Sequence, residues 1–225
     1  MDEIAPGIWR WTAPHPEWST RTEWGKRVAS YALVSEATLS LVDPLLPPDG
    51  SAQHDEVVAR LDELAAAAPR LDILVTIPDH PRSAERLYRR YREQVAAAIW
   101  GHPAVAKRFL DSETPLTTIV PGKSVGAAAE AFAIGKPRRY ETPLHFEDHR
   151  VLAFGDAVIG FEGTLRVWQP GPFSPTWYRD GFLPTLTPLL ELDFERVLVT
   201  HGPPVLRDGR AALAAALAAP PWDYL

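Results

Sequence analysis

Polar side chains that can bind a metal or transfer a proton follow three apolar stretches of the sequence. Asp79 and His80 follow the run 71–76, Asp156 follows the run 151–154, and His201 follows the run 196–200. Short apolar runs of this kind are typical of strands buried in a parallel sheet. Because ligands tend to bind at the carboxyl ends of strands in α/β sheets, we expect these three loops to form the site.

The absence of cysteine limits the chemistry of that site. With no cysteine in 225 residues, disulfides, zinc fingers, iron–sulfur clusters and thiol nucleophiles are excluded. Any metal must therefore be held by His, Asp or Glu. The sequence also contains no P-loop, dinucleotide fingerprint or Gly-x-Ser-x-Gly elbow.

The elements that must position these loops alternate between strands and helices. Residues 38–100 run strand, helix, strand, helix, strand, which predicts parallel pairing with right-handed crossovers. The predicted strands are 8–12, 28–34, 38–42, 71–76, 95–100, 116–120, 131–134, 138–142, 151–154, 157–160, 165–168 and 196–200. The predicted helices are 53–67, 83–91 and 208–218, with Ser83 and Asp208 as N-caps.

Composition indicates one globular α/β domain over residues 1–225. Hydrophobic residues make up 46% and charged residues 23% of the chain, and no linker divides it. The net charge of −6 argues against a nucleic-acid partner, which needs a basic face. No apolar run is long enough to span a membrane, and the first residues lack the pattern of a signal peptide, so a cytoplasmic location is expected.

The order of several short motifs resembles that of the metallo-β-lactamase superfamily along the whole chain. The motifs are Ala5-Pro6-Gly7-Ile8-Trp9, Leu41-Val42-Asp43-Pro44, Ile73-Leu74-Val75-Thr76, Phe154-Gly155-Asp156 and Val199-Thr200-His201-Gly202. The resemblance implies a four-layer αββα sandwich with metals between the sheet edges. In the family, the position of Asp43 supports the metal site without binding the ion.

The chain departs from the family at its metal-binding loop. The expected His-x-His-x-Asp-His is reduced to an Asp79-His80 pair, and the family's Gly-His-Thr turn is missing from the region around His145. If Asp79-His80 matches the family's Asp-His pair, the resemblance implies that one zinc, iron or manganese ion is held by Asp79, His80, Asp156 and His201. Such an ion can lower the pKa of a water molecule toward neutrality.

A second interpretation is a cleft that contains no metal. Arg82 stands where a metal-binding His is expected, and its guanidinium can form a bidentate pair with Asp156 that replaces the charge of the cation. His201 would then be structural. The cleft would serve as a module that binds a small molecule or a partner.

The resemblance predicts a hydrolase that acts on a small ester, lactone or thioester with at most one metal ion. His80, Asp156 and His201 are the candidate catalytic residues, and Arg82, His15 and Trp18 are the candidate substrate contacts. A metal-independent enzyme with His80 as general base is a third possibility. The loop 169–182 is a candidate subunit contact, but the sequence leaves the oligomeric state open.

Overall fold

A computed structural model describes residues 1–20, 25–36, 38–168 and 174–220. Its helices are α1 (Ala52–Ala67), α2 (Ala84–Tyr91), α3 (Pro175–Trp177), α4 (Leu183–Leu186) and α5 (Gly209–Ala218). Three further helical turns are a 3₁₀ helix at Pro103–Arg108, a π-helical turn at Tyr178–Phe182 and a 3₁₀ helix at Thr187–Glu191. No helix in these described ranges is long and apolar enough to cross a membrane.

The first half of the chain forms a seven-stranded sheet in the order β1 to β7. Its strands are β1 (Asp2–Ala5), β2 (Ile8–Pro14), β3 (Arg27–Ser35), β4 (Thr38–Val42), β5 (Arg70–Val75), β6 (Ala96–Gly101) and β7 (Thr117–Thr118). Pairing is antiparallel from β1 to β4 and parallel from β4 to β7. The parallel pairing predicted for the three strands within residues 38–100 is confirmed.

The second half forms a five-stranded sheet in the order β14-β11-β10-β9-β8 and a separate hairpin of β12 and β13. The strands are β8 (Ser124–Val125), β9 (Ala129–Ala131), β10 (Leu144–Phe146), β11 (Val151–Phe154), β12 (Val158–Phe161), β13 (Thr164–Val167) and β14 (Arg196–Val199). Strands β11 and β14 run parallel, with Phe154 paired to Val199. Their carboxyl ends therefore meet at one edge of the sheet.

Side chains along each strand point alternately to the two faces of its sheet, and this divides the apolar core into three layers. Leu41 and Ile73 pack beneath α1 and α2, whereas their neighbours Val42 and Leu74 face the second sheet. In that sheet Val151 and Ala153 face the first sheet, and Leu152 and Phe154 pack against the carboxyl-terminal helices. Because successive side chains point to opposite faces, the two sheets share one apolar layer and each also buries a layer of helices. The result is the predicted αββα sandwich.

The segment predicted as a strand over 138–142 is a turn. The Glu141 backbone N–H donates to the Arg138 carbonyl at 2.8 Å, and Thr142 N–H donates to the Thr76 carbonyl at 2.8 Å. Pro137 and Pro143 lie at the two ends of this segment and have no backbone N–H to give a sheet ladder. The strands predicted at 116–120 and 131–134 have weak sequence patterns. The structure contains the shorter strand β7 in place of the first, and β9, which begins two residues earlier, in place of the second.

Candidate metal centre

Three side chains from three different loops meet between the sheet edges. His80 follows β5, Asp156 follows β11 and His201 follows β14. One ligand atom from each lies within 4.8 Å of the others. The parallel pairing of β11 and β14 brings Asp156 and His201 together, and a hydrogen bond from Ala29 N–H to the Thr200 carbonyl (2.8 Å) joins this edge to the first sheet. The three strand ends predicted from the sequence therefore form one cluster.

The spacing within the cluster is that of ligands around a small cation. Asp156 Oδ1 lies 3.4 Å from His80 Nε2 and 3.3 Å from His201 Nε2. No hydrogen bond of standard geometry reaches this buried oxygen in the described chain, so its contact with each imidazole is an ion pair whenever that imidazole is protonated. Bonds of about 2.0–2.2 Å to zinc place neighbouring atoms of a tetrahedron about 3.3–3.6 Å apart. The three residues therefore fit one metal ion.

Asp43 fixes the orientation of the His80 ring. His80 Nδ1 lies 3.0 Å from Asp43 Oδ2, and Asp43 also accepts hydrogen bonds from Thr76 N–H (2.8 Å) and the Thr76 hydroxyl (2.5 Å). A carboxylate only accepts, so Nδ1 carries the proton and Nε2 faces Asp156. A carboxylate behind a histidine is the usual support of a metal-binding imidazole. Asp43 thus has the supporting place that the resemblance implies.

The charges around His80 decide its protonation. Burial and the Arg82 guanidinium lower its pKa, but the carboxylates of Asp156 and Asp43 outweigh them and raise the pKa to about 9. The His201 imidazole has a pKa below its usual value because it is buried. In the absence of a metal ion, His80 is therefore the protonated member of the pair at neutral pH, and a metal ion must compete with that proton.

The turn at 138–141 holds Asp156 from the other side. Arg138 Nη1 donates to Asp156 Oδ2 at 3.2 Å, which leaves Oδ1 directed at the two histidines. Glu141 is 1% exposed, and its carboxylate accepts backbone N–H groups of Gly155, Asp156 and Ala157 at 2.8–3.1 Å. Burial raises the pKa of Glu141 to about 7. One turn therefore positions both the backbone and the side chain of Asp156.

Comparison with known proteins identifies the fold. No family model matches the chain, and no curated protein matches it. Several solved structures do match it. A metallo-beta-lactamase family protein from Thermus thermophilus is 18% identical with a TM-score of 0.60, and the match covers 96% of this chain and 80% of that one. A beta-lactamase domain protein from Burkholderia ambifaria is 19% identical with a TM-score of 0.62, covering 96% and 71%. A metallo-beta-lactamase from Pontibacter korlensis is 13% identical with a TM-score of 0.61, covering 96% and 97%.

The chain has the metallo-β-lactamase fold. At these identities the likeness concerns the fold and does not extend to activity. Within the described chain, the His80, Asp156 and His201 cluster is the one group of three or more ligand residues. It lies between the edges of the two sheets, where the resemblance places the metals of this fold.

Two sequence expectations need correction within the metallo-β-lactamase fold. Asp79 is not part of the cluster, because its side chain is exposed and forms an ion pair with Arg108. Arg82 does not pair with Asp156. Its Nη1 instead donates to the carbonyls of Asp43 (2.9 Å) and Ala29 (3.3 Å). The arginine that pairs with Asp156 is Arg138.

The candidate substrate contacts lie at different distances from the cluster. His15 is near it, since its pKa is lowered by burial and by the charges of Arg82, His80 and His201. Trp18 is half-buried beside it in the chain, with the Lys26 ammonium 5.6 Å from its ring. His145 lies on β10, where Nε2 is 2.9 Å from the Asp193 carbonyl, and is not a member of the cluster. Trp24 and the first residues of the 169–182 loop lie outside the described ranges.

Arg138 and Glu141 are the functional residues that the sequence analysis missed. They lie 18 and 15 residues before Asp156, in a segment without regular structure. The available signal was a pair of charged residues between Pro137 and Pro143, in a segment whose pattern predicts a strand. A large cavity elsewhere in the described chain is no better guide to the site. It measures about 740 Å³, is lined by residues such as Arg150, Asp193 and Arg210, and includes no member of the cluster.

Proposed function

We propose that this chain is a hydrolase that acts on a small ester, lactone or thioester and uses one metal ion held by His80, Asp156 and His201. The observation that carries the proposal is the buried Asp156 Oδ1, which has no hydrogen-bond partner and lies 3.3–3.4 Å from two imidazole nitrogens. A buried carboxylate oxygen that no hydrogen bond satisfies needs a positive charge beside it, and a metal ion between the three ligand atoms would supply that charge. Zinc, iron and manganese all accept such a mixed donor set.

When bound, such an ion polarises the carbonyl of an acyl substrate and makes water acidic enough to attack it at neutral pH. The residues of the chain prepare the cluster for that chemistry. Asp43 keeps the proton of His80 on Nδ1, and Arg138 occupies the outer oxygen of Asp156 so that the inner oxygen faces the histidines. Three protein ligands would leave room at such an ion for water or substrate, as catalytic sites require.

A metal-free binding module is the second candidate function. One observation favours it: Arg138 already pairs with Asp156, and His80, with a pKa of about 9, pairs with Asp43, so cations of the chain itself balance both carboxylates. In this case the cleft would bind a small molecule or a partner without hydrolysing it.

Calorimetric titration of zinc, and separately of manganese, into chelator-treated and dialysed protein distinguishes the two functions. We expect one ion per chain in the wild type and none in His201→Ala. His54→Gln is the matched control, because His54 pairs with Asp49 and Asp55 away from the cluster. A panel of short esters, lactones and thioesters then tests the loaded protein. A wild type that binds no ion, or a His201→Ala variant that keeps both metal and turnover, contradicts the hydrolase.

A further inference from the structure

A second pocket lies directly behind the wall of the metal cluster. It measures about 290 Å³ and is lined by Ile77, Pro78, Asp79, Ala104, Arg108 and, from the 138–141 turn and its surroundings, by Pro137, Arg138, Tyr140 and Glu141. Arg138 reaches from this pocket to Asp156, and the 77–79 segment leads into His80. None of the metal-binding side chains lines it.

Basic residues are concentrated beside this pocket in a protein that is acidic overall. The stretches 104–108 and 136–141 contain five cations and Glu141, and the third stretch of the lining, 77–79, contributes Asp79, while the whole chain carries a net charge of −6. Of these cations, Arg108 and Arg138 line the pocket, and Lys107, Lys136 and Arg139 are their close neighbours in the sequence. All are exposed except Arg138, which is half-buried. A patch of one sign in a concave surface concentrates ligands of the opposite sign.

The two carboxylates in the pocket lining do not cancel this charge equally. Glu141 directs its carboxylate at the backbone N–H groups of residues 155–157 and presents almost no surface. Asp79 is exposed at the rim and forms its ion pair with Arg108. Asp79 therefore stands where an anionic ligand would compete for the Arg108 guanidinium.

The walls between the charges are apolar and aromatic. Ile77, Pro78, Ala104 and Pro137 supply aliphatic surface, and Tyr140 is 45% exposed. The Tyr140 ring packs against the His102 ring at 4.7 Å and carries the Arg139 guanidinium 4.6 Å from its centroid. These contacts hold the Tyr140 ring in place, and its exposed part adds aromatic surface to the pocket for an apolar group.

We propose that this pocket binds a small carboxylic acid with a compact apolar or aromatic body, its carboxylate engaging Arg108 and its body packing on Tyr140. The guanidinium fork matches the geometry of a carboxylate. A volume near 300 Å³ is at the small end of ligand sites and suits a molecule of the size of benzoate. This inference stands apart from the proposed function, because the pocket exists whether or not the cluster holds a metal.

Benzoate is the probe, and the full-length protein is used after metal removal so that no ion can hold the carboxylate. Binding is followed by ligand-observed and protein-observed NMR, with neutral benzamide and inorganic phosphate as comparisons. We expect saturable benzoate binding, and benzamide binding that is weaker by about tenfold or more because it lacks the charge-assisted hydrogen bond.

Two variants should shift the affinity in opposite directions. Arg108→Gln removes the anchoring cation and should weaken benzoate binding by about tenfold or more. Asp79→Asn removes the competing carboxylate and should tighten binding by about two- to fivefold, the range expected for a surface ion pair. Arg86→Gln is the matched control, since Arg86 is an exposed arginine that pairs with Asp49 away from this pocket, and it should leave the affinity unchanged.

Three results would overturn the proposal. They are equal affinity for benzoate and benzamide, a preference for phosphate over benzoate, and an equal loss of affinity in Arg108→Gln and Arg86→Gln. Because no metal is present, none of these results bears on the hydrolase, and loss of the hydrolase would leave this test intact.

Discussion

Asp72 and Asp156 are both buried carboxylates in strand or strand-end positions, yet they differ in how their oxygens are used. Asp72, on β5, accepts hydrogen bonds from Arg70 Nε (2.8 and 3.0 Å), from Trp100 Nε1 (2.9 Å) and from the Ala127 N–H (3.0 Å). Both of its oxygens therefore have partners. Asp156 has one partnered oxygen and one that only approaches two imidazoles. Saturation marks Asp72 as a structural connection, whereas the unsatisfied Oδ1 of Asp156 is the feature on which the proposed metal site rests.

The surroundings of the two aspartates follow the same distinction. Asp72 links β5 and β6 to the chain beside β8, and Gly126 lies so close that a Cβ at that position would be 2.2 Å from Asp72 Oδ2. The positive φ of Gly126 (61°) fits the same close approach. Asp156 is instead held from outside by Arg138 and Glu141, which leaves its inner face directed at His80 and His201. A structural carboxylate is closed on all sides, whereas this one is open on one side.

Substitution of Asp72 should give the largest loss of stability. Asp72→Ala leaves the Trp100 indole N–H and the Ala127 N–H without acceptors and the partly exposed Arg70 without its counter-ion. We expect the free energy of unfolding to fall by about 3 kcal/mol. Metal affinity should stay unchanged. Urea denaturation measures the first quantity and zinc titration of the folded variant the second; a loss below about 1 kcal/mol would contradict the structural role.

Substitution of Asp156 should have the opposite profile. Asp156→Asn keeps an oxygen for Arg138 but loses the negative charge that faces the histidines, so metal affinity should fall by more than about 100-fold, beyond the range of supporting residues. Stability without metal should change by less than about 1 kcal/mol. Thermal melting offers a direct check, since ligands that bind the native state raise its melting temperature. Zinc should raise the melting temperature of the wild type and of Asp72→Ala, and a similar rise in Asp156→Asn would contradict the contrast between the two aspartates.

The sequence predicted the strands around these aspartates better than it predicted the residues that contact them. Apolar runs such as 71–76 and 151–154 determine which strand ends meet, because burial of those runs requires the two sheets to pack together. His80, Asp156 and His201 can therefore be placed in one site from the sequence. The direction of each loop side chain cannot, as Asp79 and Arg82 show.

The missing part of the prediction is the turn at 138–141. Arg138 and Glu141 act through hydrogen bonds to residues far along the chain, and such bonds leave no periodic pattern. The sequence suggests Arg82 as the cation for Asp156 because Arg82 stands where a metal-binding His is expected. The Arg82 guanidinium instead donates to the carbonyls of Asp43 and Ala29, and neither these contacts nor the positive φ at Arg82 can be predicted from the local sequence.

Substitution of Asp43 tests whether a residue that orients a metal ligand can be distinguished from a residue that binds the metal directly. Asp43→Asn keeps the size of the side chain but weakens the acceptor for His80 Nδ1–H and for the two donors of Thr76. We expect metal affinity to fall by about 10- to 100-fold, less than in Asp156→Asn. Competition with a chromogenic chelator covers that range of affinity. An Asp43→Asn variant that binds metal as weakly as Asp156→Asn would make Asp43 a ligand instead of a support.

Substitution of Tyr31 should have the smallest effect on stability and metal affinity. It tests whether a residue must influence metal binding merely because it lies close to the candidate site. Its hydroxyl donates to the Val199 carbonyl at 2.7 Å and accepts the Val199 N–H at 3.3 Å, which joins the two sheets two residues before His201. The group is saturated, as Asp72 is. Tyr31→Phe should therefore lower the free energy of unfolding by about 1 kcal/mol and leave zinc affinity within about twofold of wild type. A tenfold loss of zinc affinity in a stably folded Tyr31→Phe would show that a saturated group can still tune the cluster, and hydrogen-bond saturation would no longer separate structural from functional polar residues in this protein.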